Sequence, residues 1–171
     1  MVSQSPAPTA EERVWAVLGT ISDPEIPAIS VVDLGVIGSV EVDDEAIRVE
    51  LLPTFVGCPA IGVMQQQIGE RLASLQIGRV DVEVSFDPPW ISDRITPAGR
   101  ERLRLSGFAP PRLVPAPASA GLDELTVLTL AECPYCGSTN TTMENAFGPT
   151  LCRAIYHCGD CRQPFEQFKR I

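Results

Sequence analysis

Two Cys-x-x-Cys pairs, Cys133-Pro-Tyr-Cys136 and Cys158-Gly-Asp-Cys161, stand 21 residues apart. No other feature of the chain restricts its fold as sharply. Each pair forms a tight turn that aims two thiolates at one point. Four thiolates so gathered satisfy the tetrahedral preference of zinc. Gly137, directly after the first pair, lets the backbone curl so that amide N–H groups face sulfur. A site closed by four protein ligands is structural, and it supplies folding free energy that a unit of roughly 40 residues cannot draw from its own core. Cys133, Cys136, Cys158 and Cys161 are therefore the expected metal ligands. Spacing alone does not separate zinc from iron, and a rubredoxin-like iron centre stays open. Zinc is the expected ion, because nothing nearby suggests an electron path.

Two more residues bear on this ligand set. Cys152 lies six residues before Cys158 and outside both pairs. It reads as a buried small hydrophobe, against a part in metal exchange. His157 abuts Cys158 in the strand-like "AIYHC", where alternation turns it away from the metal. It is the single histidine of the chain, so no site needing two can be built. There is no Glu-x-x-His pair, which excludes a di-iron carboxylate centre of the bundle type. There is no glycine-rich phosphate loop, and any Ser-His-Asp set would have to use His157. These absences argue against a self-contained enzyme.

Upstream, the pattern is that of a small α+β domain. Thr9-Ala-Glu-Glu12 fits a capping box. Val14, Val17, Leu18 and Ile21 follow at helical spacing, and the helix stops near Gly19 to Ser22. Val40, Val42, Ile47, Val49 and Leu51 alternate with polar residues around an acidic turn at Asp43-Asp44, as a half-buried hairpin requires. Ile61, Met64, Ile68, Leu72 and Leu75 mark one stripe of a second helix. "RVDVEVSF", residues 79–86, alternates as a third strand. Thr96-Pro97 opens a short basic helix that closes at Gly107. The order α-β-β-α-β-α makes a small two-layer α/β sandwich over residues 1–108. "APPRLVPAPASAG", residues 109–121, cannot build a core and reads as a semi-rigid linker. The four-cysteine ribbon then occupies 122–171.

The net charge of -9 and pI near 4.5 weigh against a nucleic-acid partner, since phosphate affinity comes from Lys and Arg. Met1–Ala10 carries no basic and apolar leader, and no run is long enough to span a membrane. A cytoplasmic location is the resulting expectation. In a reducing compartment six cysteines are ligands or redox groups rather than disulfides.

One of the six is left without a role by the ribbon. In "TFVGCPAIG", Cys58 precedes Pro59 at the start of the second helix. With Pro59 as the first helical residue, Cys58 becomes the N-cap. The helix dipole and unsatisfied N–H groups there favour its thiolate. Thr54 lies just upstream, within reach of the sulfur. A packed thiol is the other reading, and the local sequence does not choose between them. Asp23-Pro24-Glu25 likewise reads as a turn and cap pair on local grounds.

Taken together, "DPEIPAISVVDLGVI" and "TFVGCPA" resemble the small iron–sulfur assembly proteins related to SufT and the MIP family. With "DPPWISDRIT" and the tail from Cys133 to Lys169, the chain from about residue 10 to 171 resembles the D subunits of bacterial phenylacetyl-CoA epoxidase systems. Phe-Gly-Pro-Thr-x-Cys, ending at Cys152, and Cys161-Arg-Gln-Pro-Phe165 are the specific parts of the tail. The resemblance implies an accessory or maturation role in aerobic phenylacetate breakdown. It further implies delivery of iron or an iron–sulfur cluster to partners on other chains, a di-iron catalytic subunit and a flavin/iron–sulfur reductase. It makes Asp23, Glu25, Thr54 and Cys58 the candidate residues for transient cargo, and it raises the interest of Cys152. A structural subunit that docks onto the epoxidase, an electron-transfer component and a homodimer stay open.

Overall fold

The computed structural model describes residues 7–112 and 131–170. The chain divides into two compact units, one of residues 1–53 and 59–89, the other of 54–58 and 90–171.

The first unit opens with α1 (Ala10–Leu18). The capping box is complete: the Glu12 N–H donates to Thr9 Oγ1, and the Thr9 N–H donates to the Glu12 carboxylate at 2.7 Å. The hairpin follows as β1 (Ile37–Val42) and β2 (Ala46–Leu51). Its turn is fixed by Asp43, whose carboxylate accepts from the N–H groups of Glu45 and Ala46, each at 2.8 Å. Helix α2 (Ile61–Ala73) then carries the chain back to β3 (Arg79–Val84), which pairs parallel with β2. The sheet order β1-β2-β3 is thus mixed, with β2 in the middle.

Register explains the core. Val40 faces Val49 and Val42 faces Ile47 across the antiparallel pair, while Ile47, Val49 and Leu51 align with Val80, Val82 and Val84 across the parallel pair. Because the side-chain period of a strand is two, these residues share one face. Met64, Ile68 and Leu72, one turn apart, give α2 its buried stripe, and Val14 and Leu18 do the same for α1. Helices on one face of a small sheet form the expected two-layer α+β arrangement.

The second unit begins with a single 3-10 turn and α3 (Pro97–Leu105), capped by Thr96, whose Oγ1 accepts from the Gly99 N–H. The sequence pattern makes α3 the last element of the first domain; its place is in the second unit. The reason is the strand that follows it at once, β4 (Phe108–Ala109), which pairs parallel with β7 (Pro164–Phe168). Ala109, expected as the first linker residue, is therefore a buried strand residue. Of that linker, residues 113–121 lie outside the described residues, as do 122–130 of the ribbon. Arg100 fastens this segment by donating to the carbonyls of Ile95, Ser92 and Pro111.

The ribbon proper is an antiparallel run of β5 (Thr141–Asn145), β6 (Arg153–Cys158) and β7, giving the sheet order β4-β7-β6-β5. Its core is small. Tyr156 stacks on Phe165 at 5.6 Å between ring centroids, beside Ala109, Ala131 and Ala154. Two of the cluster cysteines, Cys133 and Cys158, belong to this core, which is how a sheet with so few apolar residues is completed. No helix among the described residues is long and apolar enough to cross a membrane.

Candidate metal centre

The structure brings Cys133, Cys136, Cys158 and Cys161 together, with all four sulfurs within 4.8 Å of one another. Sulfur contacts run between the pairs: Cys133 to Cys161 and Cys136 to Cys158, each at 3.6 Å. A tetrahedral ion with metal–sulfur bonds of about 2.3 Å requires sulfurs about 3.8 Å apart. The donor set therefore fits a zinc ion by number, type and spacing. It would be held by all four thiolates, with no position left for a substrate.

The two turns share one backbone design. The Gly137 N–H donates to the Cys133 carbonyl, and the Cys133 N–H donates to the Ser138 carbonyl, both at 2.9 Å. In the second turn the Arg162 N–H donates to the Cys158 carbonyl at 2.9 Å, and the Cys158 N–H to the Gln163 carbonyl at 3.0 Å. The fourth residue past each first cysteine is left-handed, with φ of 74° at Gly137 and 60° at Arg162. This curl turns later amides onto sulfur. The Cys161 N–H, and after it that of Asp160, hold the Cys158 thiol down at about 6 against burial. At Cys161 the Gln163 N–H lowers the value. Burial and the neighbouring thiols of Cys133, Cys158 and Cys136 outweigh it, and Cys161 is pushed up to about 12. At Cys136 the Ser138 N–H likewise lowers the value, but burial and the neighbours Cys158 and Cys133 overcome it and raise the thiol. The Cys158 sulfur is thus poised to ionise ahead of Cys136 and Cys161, which wait for the metal's positive charge, as ligands that must lose protons on binding do.

A polar clasp that the sequence did not reveal joins the two cysteine turns. Ser138 Oγ donates to Asp160 Oδ2 at 2.6 Å and Asn140 Nδ2 donates to Asp160 Oδ1 at 2.7 Å. The two donors hold the Asp160 carboxyl below its ordinary value, Ser138 first. The Asn140 N–H in turn donates to Ser138 Oγ. Short polar residues close in sequence to the ligands were the available signal.

His157 and Cys152 stand outside the group of four. Cys152 is buried before β6, with its sulfur 3.1 Å from Thr150 Oγ1. Arg153 beside it is held by Thr150 and by Glu166.

The remaining candidates lie in two loops. In the first unit Asp23 is 6% exposed, and its Oδ1 accepts from the N–H groups of Glu25 and Ile26. It therefore caps its own loop. An open groove of about 370 Å³ runs beside it, lined by Thr20, Asp23, Pro24, Gln67, Glu70 and Arg71. In the second unit Thr54 and Cys58 are each 9% exposed. Gly57, at φ 86°, closes a turn in which the Cys58 N–H reaches the Phe55 carbonyl. That positive φ at the third position marks a type II turn. The expectation that Cys58 caps α2 is corrected. The N-cap is Ala60, whose carbonyl accepts the first helical bond, from Met64 N–H, and no side chain caps it. A further turn at Pro59-Ala60 delays the helix by two residues and leaves Cys58 buried before it.

Comparisons with known proteins fit both units. Residues 119–169 match the PaaD zinc beta ribbon domain family, and residues 11–86 match the iron–sulfur cluster assembly protein family. An Escherichia coli K12 protein, named as a candidate D subunit of 1,2-phenylacetyl-CoA epoxidase, is 37% identical over 96% of this chain and 96% of its own. The Fe-S protein maturation auxiliary factor SufT of Staphylococcus aureus is 32% identical over 50% of this chain and 99% of its own. Among solved structures, a domain of unknown function from Bacillus anthracis superposes with a TM-score of 0.51 at 25% identity, covering 54% of this chain and 90% of that one. An iron–sulfur assembly domain followed by a PaaD zinc ribbon, matched almost from end to end by that Escherichia coli chain, places this protein in the family of phenylacetyl-CoA epoxidase D subunits.

Proposed function

We propose that the chain is a maturation factor of a phenylacetyl-CoA epoxidase system, acting in the cytoplasm, and that its cargo is iron or an iron–sulfur cluster. The recipients in this reading are a di-iron catalytic subunit or a flavin/iron–sulfur reductase on separate chains. The observation that carries it is the match of residues 11–86 to iron–sulfur assembly proteins inside a chain that aligns with an epoxidase-system relative over nearly its whole length.

The chemistry supports a division of labour. A metal in the four-thiolate cluster has no open coordination position, so its role is to hold the ribbon. Zinc suits that role better than iron, because a fixed structural ion needs no redox change. In this reading Cys58, with Thr54 in the same turn, is the cargo candidate of the second unit, and the carboxylates of Asp23 and Glu25 are the candidates of the first. A soft sulfur and hard oxygens are donors that iron accepts. Cys152 serves the ribbon as a packed residue, with metal exchange as its alternative role.

Coexpression tests the proposal. Catalytic and reductase subunits are purified after expression with this chain, without it, and with Cys58→Ser. The expected result is lower iron content and lower epoxidase activity in the last two, while Cys58→Ser keeps its zinc and its fold. Full activity and full iron content without the chain would sink the maturation role. A second reading, a structural component that docks onto the epoxidase, is favoured by Phe147 and Leu151, which stand 64% and 56% exposed on the β5–β6 loop. A stable complex on size exclusion whose activity ignores Cys58→Ser supports that reading. A homodimer shows in the same experiment.

A further inference from the structure

The polar residues between the metal ligands do more than fill the turns. Asp160 sits inside Cys158-Gly-Asp-Cys161, and Ser138 two residues past Cys136. Their side chains join the two turns at 2.6 Å, and Asn140 adds a second bond to the same carboxylate at 2.7 Å. Hydrogen bonds to an ionised carboxylate are the strong kind. The same two residues turn their backbone N–H groups onto metal-binding sulfurs, Ser138 onto Cys136 and Asp160 onto Cys158. Those sulfurs are neighbours, 3.6 Å apart. Neither amide can swing off its sulfur without breaking or dragging the side-chain bond that ties it to the other turn.

Access to the cluster is one-sided. Cys133 and Cys158 are 1% and 0% exposed, whereas Cys136 is exposed and Cys161 partly so. A competing ligand therefore arrives at Cys136, and loss of the metal begins with the thiolate it can reach. That thiolate is the one the Ser138 amide faces.

We propose that Ser138, Asn140 and Asp160 form a retention latch, which keeps amide donors on the Cys136 and Cys158 sulfurs and sets the rate at which metal leaves the four-thiolate site. These are positioning residues, since all their action passes through the ligands. Outer partners of metal ligands are generally worth about 10- to 100-fold in affinity. The latch is independent of any cargo carried by Cys58.

Zinc release from the full-length, zinc-loaded chain into an excess of a chromogenic zinc chelator tests the latch. The temperature is set where every variant compared is folded. Asp160→Ala and Ser138→Ala are expected to release zinc about tenfold faster than the wild type. Asn140→Asp sets two carboxylates against each other and is expected to be fast as well. Combining Asn140→Asp with Asp160→Asn exchanges donor and acceptor at the same net charge, and is expected to return the rate toward the wild-type value. Should Asp160→Ala fail to fold, Ser138→Ala and the exchanged pair carry the test. Wild-type release rates in Ser138→Ala and Asp160→Ala overturn the proposal, even if their thermal midpoints fall, because the clasp would then serve the fold alone. A double variant as fast as Asn140→Asp overturns it too.

Discussion

Gly137 and Arg162 hold the same place in the two cysteine turns, both left-handed, yet only one of them is glycine. A Cβ in that conformation crowds the following carbonyl and costs about 1–2 kcal/mol. Gly137→Ala is therefore expected to destabilise the metal-loaded protein by about that amount. Arg162→Ala, whose parent already carries a Cβ there, is expected to change little. Thermal unfolding of both variants checks the contrast, and equal effects would argue against equivalent turns. Among single residues the sequence was legible where residue type and role coincide. The four ligands and the curl at Gly137 could be read directly. Arg162 could not, because arginine does not advertise a left-handed backbone. The Asp160 clasp escaped because its bonds join residues 20 and 22 places apart. Cys58 was misplaced for a local reason: Cys-Pro looks like a cap and first helical residue, and only the bonding pattern shows that Ala60 opens the helix.

Among the elements, the long periodic segments were easy. The strand alternation in β1, β2 and β3 and the stripe of α2 follow from which residues must face one core. Ile68 is 0% exposed at the centre of that stripe. Ile68→Ala leaves a cavity there and is expected to cost about 2–5 kcal/mol, read as a lower denaturant midpoint at unchanged slope. A loss below about 1 kcal/mol would mean the site collapses around the smaller side chain. The two-residue strand β4 was out of reach of any periodicity argument. Phe108–Ala109 is strand only because Glu166 and Gln167 of β7 lie opposite it. The Pro/Ala composition that begins at Ala109 masked this, and with it the membership of α3.

Over the molecule as a whole, the two units differ in what holds them. The first has a three-stranded sheet covered by helices with buried aliphatic stripes. The second has a small core that includes its own metal ligands. Removing the metal leaves Cys133 and Cys158 as buried thiols with nothing to gather them. Chelation is expected to unfold the ribbon sheet while amides of β2 and α2 stay protected, as hydrogen exchange can show. Uniform loss of protection in both units would contradict that division.

In the proposed function, fixed metal and transferable metal occupy different cysteines, and the maturation role and the structural ribbon both depend on that separation. Anaerobic zinc, iron and sulfide analysis of the wild-type chain beside Cys58→Ser puts it to the test. Equal zinc is expected in both samples, with iron or sulfide present in the wild type and lost in Cys58→Ser. Iron in place of zinc in both samples, or iron and sulfide indifferent to Cys58→Ser, would show that the separation does not hold.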